Sequence, residues 1–372
     1  MKAVVLVGGA GTRLRPLTLT VPKQVLPIVE VPMIERVLAY LGGHGVDEAI
    51  LSLGYLHDAF EALFPEGRCS GVDLTYAVEP EPLDTAGAVG FAARYAGVSE
   101  RFLVVNGDIL TDLDVTAMVA FHEQRGAEAT ISLASVADPS AFGLVPIDGE
   151  GKVIAFVEKP APGAPGPSGP LSGERGAALV NAGTYVLEPS VLDRIPEGRR
   201  VSIEREVFPA LAGAGTLYGF DSTAYWTDTG TPLQYLEAQL DLLSGRRPGP
   251  PAPLAESGPN GTWTLGDADF GSSVHGPTLL GAGAWVAADA SVTRSVVGAR
   301  CRIHAGARVA DSVLLPGAVV GKGAVVDHSI LGRCAQVGDG AEVTGVSVLG
   351  DDYVVEPRTH LDGARLPADS PG

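Results

Sequence analysis

The sequence predicts two folds in series: an α/β domain with a Rossmann-like, mixed but mostly parallel sheet, then an all-β left-handed parallel β-helix. Three observations carry this. Residues 1–243 alternate apolar strand runs with helix-like stretches, the pattern of a sheet covered on both faces. Residues 244–261 lose periodicity and are rich in proline, glycine and alanine, which marks a linker. From 262 to 366, apolar residues recur in register every 17 or 18 positions, as in a stacked-coil solenoid.

In the first part the strand runs are 3–7, 49–53, 102–105, 130–136 and 179–187. The helical stretches are 33–43, 57–64, 86–96, 114–125 and 232–243. In such sheets ligands sit beyond the carboxyl ends of the strands, and two motifs fall there. Ala3-Val4-Val5-Leu6-Val7 breaks into Gly8-Gly9-Ala10-Gly11-Thr12-Arg13-Leu14-Arg15, a glycine loop with two arginines. Glycines let the backbone approach a ligand and aim N–H groups into one concavity, and arginine matches phosphate oxygens. The loop alone is also compatible with a tight strand-to-helix turn, because it matches neither common phosphate-loop pattern. Asn106-Gly107-Asp108 also follows a strand and by itself is compatible with a turn.

In the second part Ser295-Val296-Val297-Gly298, Ser312-Val313-Leu314-Leu315, Ser329-Ile330-Leu331-Gly332 and Ser347-Val348-Leu349-Gly350 repeat at intervals of 17, 17 and 18. Ile303, Val320, Val337 and Val354 form a second set, and Val292, Val309 and Val326 a third. Three short strands per coil, with apolar residues stacked inward, predict hexapeptide repeats. The flat faces and exposed ends of such a stack predict homo-oligomer contacts. His304 and His328 lie in the repeats. Without a defined partner they are weak support for an acyl-transfer base.

Composition narrows the class. The 372 residues suffice for two domains with their own cores, at 45% hydrophobic and 19% charged content. No apolar run has membrane-spanning length, and the N-terminus enters a strand at once, which leaves no room for a signal peptide. Cys69, Cys301 and Cys334 show no paired spacing, which argues against a disulfide framework or a zinc site and for a cytoplasmic setting. The net charge of −18 argues against nucleic-acid binding.

The run GGAGTRLRPLT, followed by Pro22-Lys23-Gln24-Val25-Leu26-Pro27, resembles the signature of the sugar-1-phosphate nucleotidyltransferases. The resemblance continues in order through Glu81-Pro82-Leu83-Asp84-Thr85-Ala86-Gly87, Asn106-Gly107-Asp108, Phe156-Val157-Glu158-Lys159-Pro160, Asn181-Ala182-Gly183 and Trp226-Thr227-Asp228-Thr229-Gly230. Asn106–Leu110, Val180–Tyr185 and Ser202–Pro209 are similar to the branch that transfers guanylyl groups to mannose 1-phosphate. The activity implied is attack of a sugar 1-phosphate, here mannose 1-phosphate, on the α-phosphorus of a nucleoside triphosphate, here GTP, releasing pyrophosphate.

The resemblance implies a nucleotide site of Gly8, Gly9, Gly11, Thr12, Arg13, Glu79, Pro82, Asp84 and Thr85. Arg13 would clamp the β- and γ-phosphates, and Lys23 would neutralise charge near the α-phosphate. Asp108 and Asp228 would hold Mg²⁺, although Asp228 taken alone could cap the helix that begins near 232. Lys159 would hold the sugar phosphate, with Glu158, Asn181 and Gly143 completing the sugar pocket. Two positions depart from the family pattern. Asp84 replaces the first glycine of Leu-Gly-Thr-Ala-Gly, where its carboxylate could accept from guanine N1–H and N2–H₂ or point away without effect. Gln24 follows Lys23, as in thymidylyltransferases. These departures keep open dTTP or ATP with glucose 1-phosphate or a cyclitol phosphate. A non-catalytic, sugar-nucleotide-sensing subunit is a further alternative. The stretch 161–173 reads as an insertion, either a surface loop or a flap over the sugar pocket.

Overall fold

The computed structural model describes residues 1–54, 56–159, 178–247 and 249–368, so the 161–173 insertion lies outside the described residues. The chain divides into two compact units. One comprises Met1–Gly9 and Ile34–Trp226, the other Ala10–Met33 and Thr227–Gly372.

The first unit is built on a sheet of ten described strands: β1 (Lys2–Leu6), β2 (Glu48–Leu53), β3 (Arg68–Cys69), β4 (Val72–Val78), β5 (Phe102–Asn106), β6 (Ala129–Val136), β7 (Gly143–Leu144), β8 (Val157–Glu158), β9 (Ala178–Leu187) and β10 (Leu217–Asp221). Their order is β8-β7-β9-β5-β1-β2-β4-β3, with β6 paired to both β9 and β10. The centre is parallel, with β1 between β5 and β2, and β9 is antiparallel to β5. Central parallel strands are covered on both faces and therefore read as unbroken apolar runs. Ala3, Val4 and Val5 of β1 and Phe102 to Val104 of β5 are buried accordingly. Around the sheet stand α1 (Met33–Gly43), α2 (Asp58–Leu63), α3 (Asp84–Tyr95), α4 (Val115–Arg125) and α5 (Phe208–Ala214). Val4, Ile50, Val104, Ile131, Tyr185 and Phe208 belong to one core cluster.

The five strand runs and four of the helical stretches read from the sequence fall on β1, β2, β5, β6, β9, α1, α2, α3 and α4. Strand β4 lacked a clean apolar signal because its Asp73 and Thr75 sit among half-exposed residues. The short strands β7 and β8 pair with each other, and β7 joins the sheet through Leu144 against Val180 of β9, contacts that two-residue strands do not announce in the sequence.

In the second unit α6 (Pro232–Leu243) starts at Thr231, whose hydroxyl accepts from the Gln234 N–H at 3.3 Å, with proline in the first turn. Thr231 thus takes the capping position that the sequence also left open to Asp228. Beyond it lie three sheets, parallel from Thr262–Thr264 onward, whose strands pair in register from coil to coil, Val296 with Val313 and Val313 with Ile330, Ile303 with Val320 and Val320 with Val337. These are the faces of a parallel β-helix, in keeping with the left-handed class. The repeated serines form a buried ladder. The Ser312 N–H donates to Ser295 Oγ and the Ser329 N–H to Ser312 Oγ, each at 3.1 Å. The Ser295 and Ser312 hydroxyls each accept from the next coil and donate to a carbonyl two residues earlier, which satisfies a buried polar group twice over. One expectation is corrected. Val337 pairs with Val355, not Val354, and Val354 is 53% exposed. The 18-residue coil shifts the inward position by one, and a one-residue shift reverses the face.

Candidate active site

Six of the nine residues assigned to the nucleotide line one cavity of about 320 Å³ in the first unit. These are Gly8, Gly9, Glu79, Pro82, Asp84 and Thr85, joined by Leu6, Leu83, Ala88 and Arg200. The cavity lies past the carboxyl end of β1 and at the start of α3, where a sheet of this kind binds ligands. Glu79 shapes its wall. One carboxylate oxygen accepts from the Ser52 hydroxyl at 3.1 Å and the other from the Leu83 N–H at 3.0 Å.

The backbone donors of segment 79–87 are largely spent inside the protein. The Glu79 N–H donates to Leu53 O, and the Ala86 and Gly87 N–H groups donate to Val201 O. The Thr85 N–H donates to Asp84 Oδ1 at 2.9 Å. Positions 80 and 82 are prolines and have no N–H. What this wall offers a ligand is mainly acceptors. The Thr85 hydroxyl accepts from the Ile203 N–H at 2.8 Å and donates to Glu204 at 2.6 Å, so it braces the wall. Asp84 has φ 61°, in the left-handed region. That explains glycine as the family residue here and aspartate as a tolerated replacement.

Asp108 sits in the turn after β5, where the Gly107 N–H is held by Leu6 O at 2.9 Å. Its neighbour β9 carries a register shift between Asn181 and Tyr185. Asn181 makes this bulge. Its Oδ1 accepts from the Gly183 N–H, its Nδ2 donates to Tyr185 Oη, each at 3.0 Å, and Gly183 takes φ 77°. A side chain on Gly183 would meet Asn106 Nδ2 at 2.8 Å and would be strained at φ 77°, which favours glycine here. Bulges re-aim side chains beside functional sites.

Glu158 and Gly143 face each other across the β7–β8 hairpin. Burial raises the Glu158 pKa, the nearby Glu204 carboxylate raises it further, and Lys159 at 3.6 Å opposes them. Lys159 is exposed, with φ 46°, a backbone strain of the sort found where a side chain must be aimed. A Cβ on Gly143 would lie 2.6 Å from the Phe156 ring and 3.1 Å from Glu158 Oε2. We expect Gly143→Ala to displace Glu158 and raise the KM for sugar phosphate about three- to tenfold, the cost of one weakened hydrogen bond. Initial-rate kinetics at saturating nucleotide would check this.

The second unit carries Gly11, Thr12, Arg13, Lys23 and Asp228. Gly11 has φ 58°, its carbonyl accepts from the Thr18 hydroxyl at 2.8 Å, and Thr12–Leu14 form one short turn. Arg13 is exposed and Lys23 half-buried. Asp228 Oδ1 accepts from the Gly230 N–H at 2.7 Å. A Cβ on Gly230 would lie 2.7 Å from Arg13 Nη2 and 2.8 Å from Asp228 Oδ1, so both side chains pack against that glycine.

A glycine-loop arginine, an acceptor-lined cavity and carboxylates after the strands suit transfer of a nucleotidyl group. Residues 2–245 match the family model described as nucleotidyl transferase. The chain belongs to that family. Residues 274–368 match the GMPPB C-terminal domain. Among similar proteins, the mannose-1-phosphate guanylyltransferase of Mycobacterium tuberculosis is 38% identical, covering 82% of this chain and 81% of that one. The mannose-1-phosphate guanyltransferase of Schizosaccharomyces pombe is 39% identical over 70% and 69%. Among solved structures, HddC from Yersinia pseudotuberculosis, also solved with GMP-PN, is 30% identical with TM-score 0.53, covering 64% of this chain and 97% of that one. A putative glucose-1-phosphate thymidylyltransferase from Bacillus anthracis, in complex with a sucrose, is 26% identical with TM-score 0.55 over 64% and 93%.

Sequence reasoning passed over three residues at this candidate site. Ser52 and Glu204 act through others; Ser52 stands in no motif, and Glu204 lies within the Ser202–Pro209 segment, to which the resemblance assigned no site role. Glu204 accepts from the hydroxyls of both Thr85, at 2.6 Å, and Ser202, at 2.8 Å. Arg200, exposed and without an ion pair or hydrogen bond among the described residues, lies 115 positions from Thr85 (200 − 85) but lines the same cavity. Among the described residues no helix is long and apolar enough to cross a membrane.

Proposed function

We propose that this nucleotidyltransferase uses GTP and mannose 1-phosphate to make GDP-mannose and pyrophosphate. The observation that carries the reading is the acceptor-rich wall of segment 79–85. Guanine presents N1–H and N2–H₂ along one edge, and carboxylates and carbonyls complement that edge. Asp84 Oδ2, with no partner among the described residues, is suited to this contact. Arg200 is suited to the acceptors O6 and N7, which arginine bonds as a pair. The similarity to mannose-1-phosphate guanylyltransferases supports both substrates.

The chemistry brings two polyanions together, so positioning and cationic neutralisation do the work and no covalent intermediate is required. Gly8, Gly9, Gly11 and Thr12 approach the nucleotide with backbone. Arg13 clamps the β- and γ-phosphates that leave as pyrophosphate, and Lys23 neutralises charge at the α-phosphate. Lys159 orients the incoming sugar phosphate. Glu158, Asn181 and the Gly143 backbone accept from or donate to the sugar hydroxyls. Asp108 and Asp228 would hold Mg²⁺: each offers hard carboxylate oxygens, and Mg²⁺ takes few protein ligands beside water and phosphate. When bound, the ion screens the repulsion between the two phosphates. We place the enzyme in the cytoplasm as a homo-oligomer joined through the β-helix, with residues 1–243 as catalytic domain, 244–261 as linker and 262–366 as β-helix.

The decisive experiment is pyrophosphate release with Mg²⁺, crossing GTP, dTTP, ATP, UTP and CTP with mannose 1-phosphate and glucose 1-phosphate. Release with GTP and mannose 1-phosphate supports the proposal. Release with dTTP or ATP favours the second reading, which Gln24 motivates, with glucose 1-phosphate or a cyclitol phosphate as acceptor. No release from folded protein would point to a regulatory subunit. Asp84→Gly tests base reading cleanly, because glycine suits φ 61° and the backbone keeps its course. We expect the preference for GTP over other triphosphates to fall about ten- to a hundredfold. An unchanged preference would remove Asp84 from base recognition.

A further inference from the structure

The segment that carries Arg13 and Lys23 ends in a hairpin, Pro27–Ile28 paired with Val31–Pro32. Its two tip residues are Val29 at φ 48° and Glu30 at φ 64°. Two left-handed residues in a two-residue connection form a turn normally filled by Asn-Gly. A β-branched valine there is strained, and such strain persists only where the surroundings impose it. Two contacts do so here. The Val29 N–H donates to Gln239 Oε1 of α6 at 3.0 Å in a buried setting. Glu30 Oε2 accepts from the Ala299 N–H of the β-helix at 2.9 Å.

The Ala299 contact is closely built. Gly298 has no side chain, and a Cβ there would lie 2.9 Å from Glu30 Oε1. Burial raises the Glu30 pKa, while the Ala299 N–H and the positive charges of Arg333 and Arg300 favour its ionised form. The far end of the β-helix touches the same segment. Arg365 Nη1 donates to the Arg13 carbonyl at 3.3 Å, and Pro16 packs on Gly350, where a Cβ would meet its ring at 3.1 Å.

We propose that Glu30 and Arg365 are positioning residues through which the β-helix holds the arginine loop in its nucleotide-binding geometry. The β-helix then serves the chemistry directly, as a splint for Arg13 and Lys23. The idea rests on the reading that Arg13 meets the triphosphate.

The test uses the full-length chain. Glu30→Gly keeps the left-handed turn, relieves strain and removes the clamp, so the hairpin should fold. We expect the KM for GTP to rise about ten- to a hundredfold, the range for a lost hydrogen bond to a charged group. The KM for mannose 1-phosphate should stay unchanged. Glu30→Gln retains an acceptor and should restore most of the loss. Arg365→Ala, at an exposed contact, should give a smaller rise of a few-fold. Amide exchange over residues 11–20 should quicken in Glu30→Gly while the coil cores stay protected. A nucleotide KM unchanged in Glu30→Gly, or loop exchange equal to wild type, would overturn the proposal. A wild-type chain that releases no pyrophosphate would defeat the functional reading instead, and the exchange result would still decide the splint.

Discussion

Asp108→Asn is expected to lower turnover at least about a hundredfold while the fold stays intact, because the proposed metal site would lose a charged ligand worth several kcal/mol, and each 1.4 kcal/mol is roughly tenfold in rate. The substitution is isosteric. Asp108 also sits in a turn whose backbone is anchored elsewhere, by Gly107 on Leu6. The variant should therefore unfold in urea at the wild-type midpoint. Two readouts separate the roles: pyrophosphate release across Mg²⁺ concentration, and Mn²⁺ affinity by paramagnetic resonance. Near-normal Mg²⁺-dependent turnover would remove Asp108 from the metal site. Normal Mn²⁺ affinity with lost turnover would assign the carboxylate to orientation of substrate.

Arg13→Ala has the other large effect. An arginine that neutralises charge on a phosphoryl transfer contributes about a thousandfold or more to the rate. Arg13 is exposed, and its guanidinium packs on Gly230 beside Asp228, so its removal opens no core cavity. We expect turnover to fall about a thousandfold with an unchanged melting temperature. Arg13→Lys should recover only part of this, because lysine keeps the charge but not the planar fork that bonds two phosphate oxygens. Full recovery with lysine would mean that charge alone is needed. Wild-type rates in the alanine variant would place the triphosphate elsewhere.

The alternation of buried strands with amphipathic helices was legible in the sequence because each signal is local. Ala3 to Val5 are apolar since parallel strands are buried on both faces, and the serine repeats announce coils that stack every 17 residues. The nucleotide cavity was legible in part. Glu79, Pro82, Asp84 and Thr85 lie in one short motif, and Gly8 and Gly9 precede the arginine loop. The roles of Arg200 and Glu204 were not legible, since Val201 reaches the start of α3 by its backbone carbonyl and Ile203 by its N–H to the Thr85 hydroxyl, across more than a hundred residues. Nothing in the spacing of a chain announces such a contact.

By itself the sequence determined the two fold types, the glycine loop with its arginine, and the residues of the motifs. These follow from hydrophobic period, turn chemistry and short-range order. Only the tertiary structure decided how those residues are held. Asp84 is left-handed, Asn181 builds a bulge rather than a plain strand, and segment 10–33 packs with the β-helix rather than with the strand that precedes it. The physical reason is that a strained turn at Val29 and Glu30, or a register shift in β9, costs free energy locally. Partners from distant parts of the chain must offset that cost.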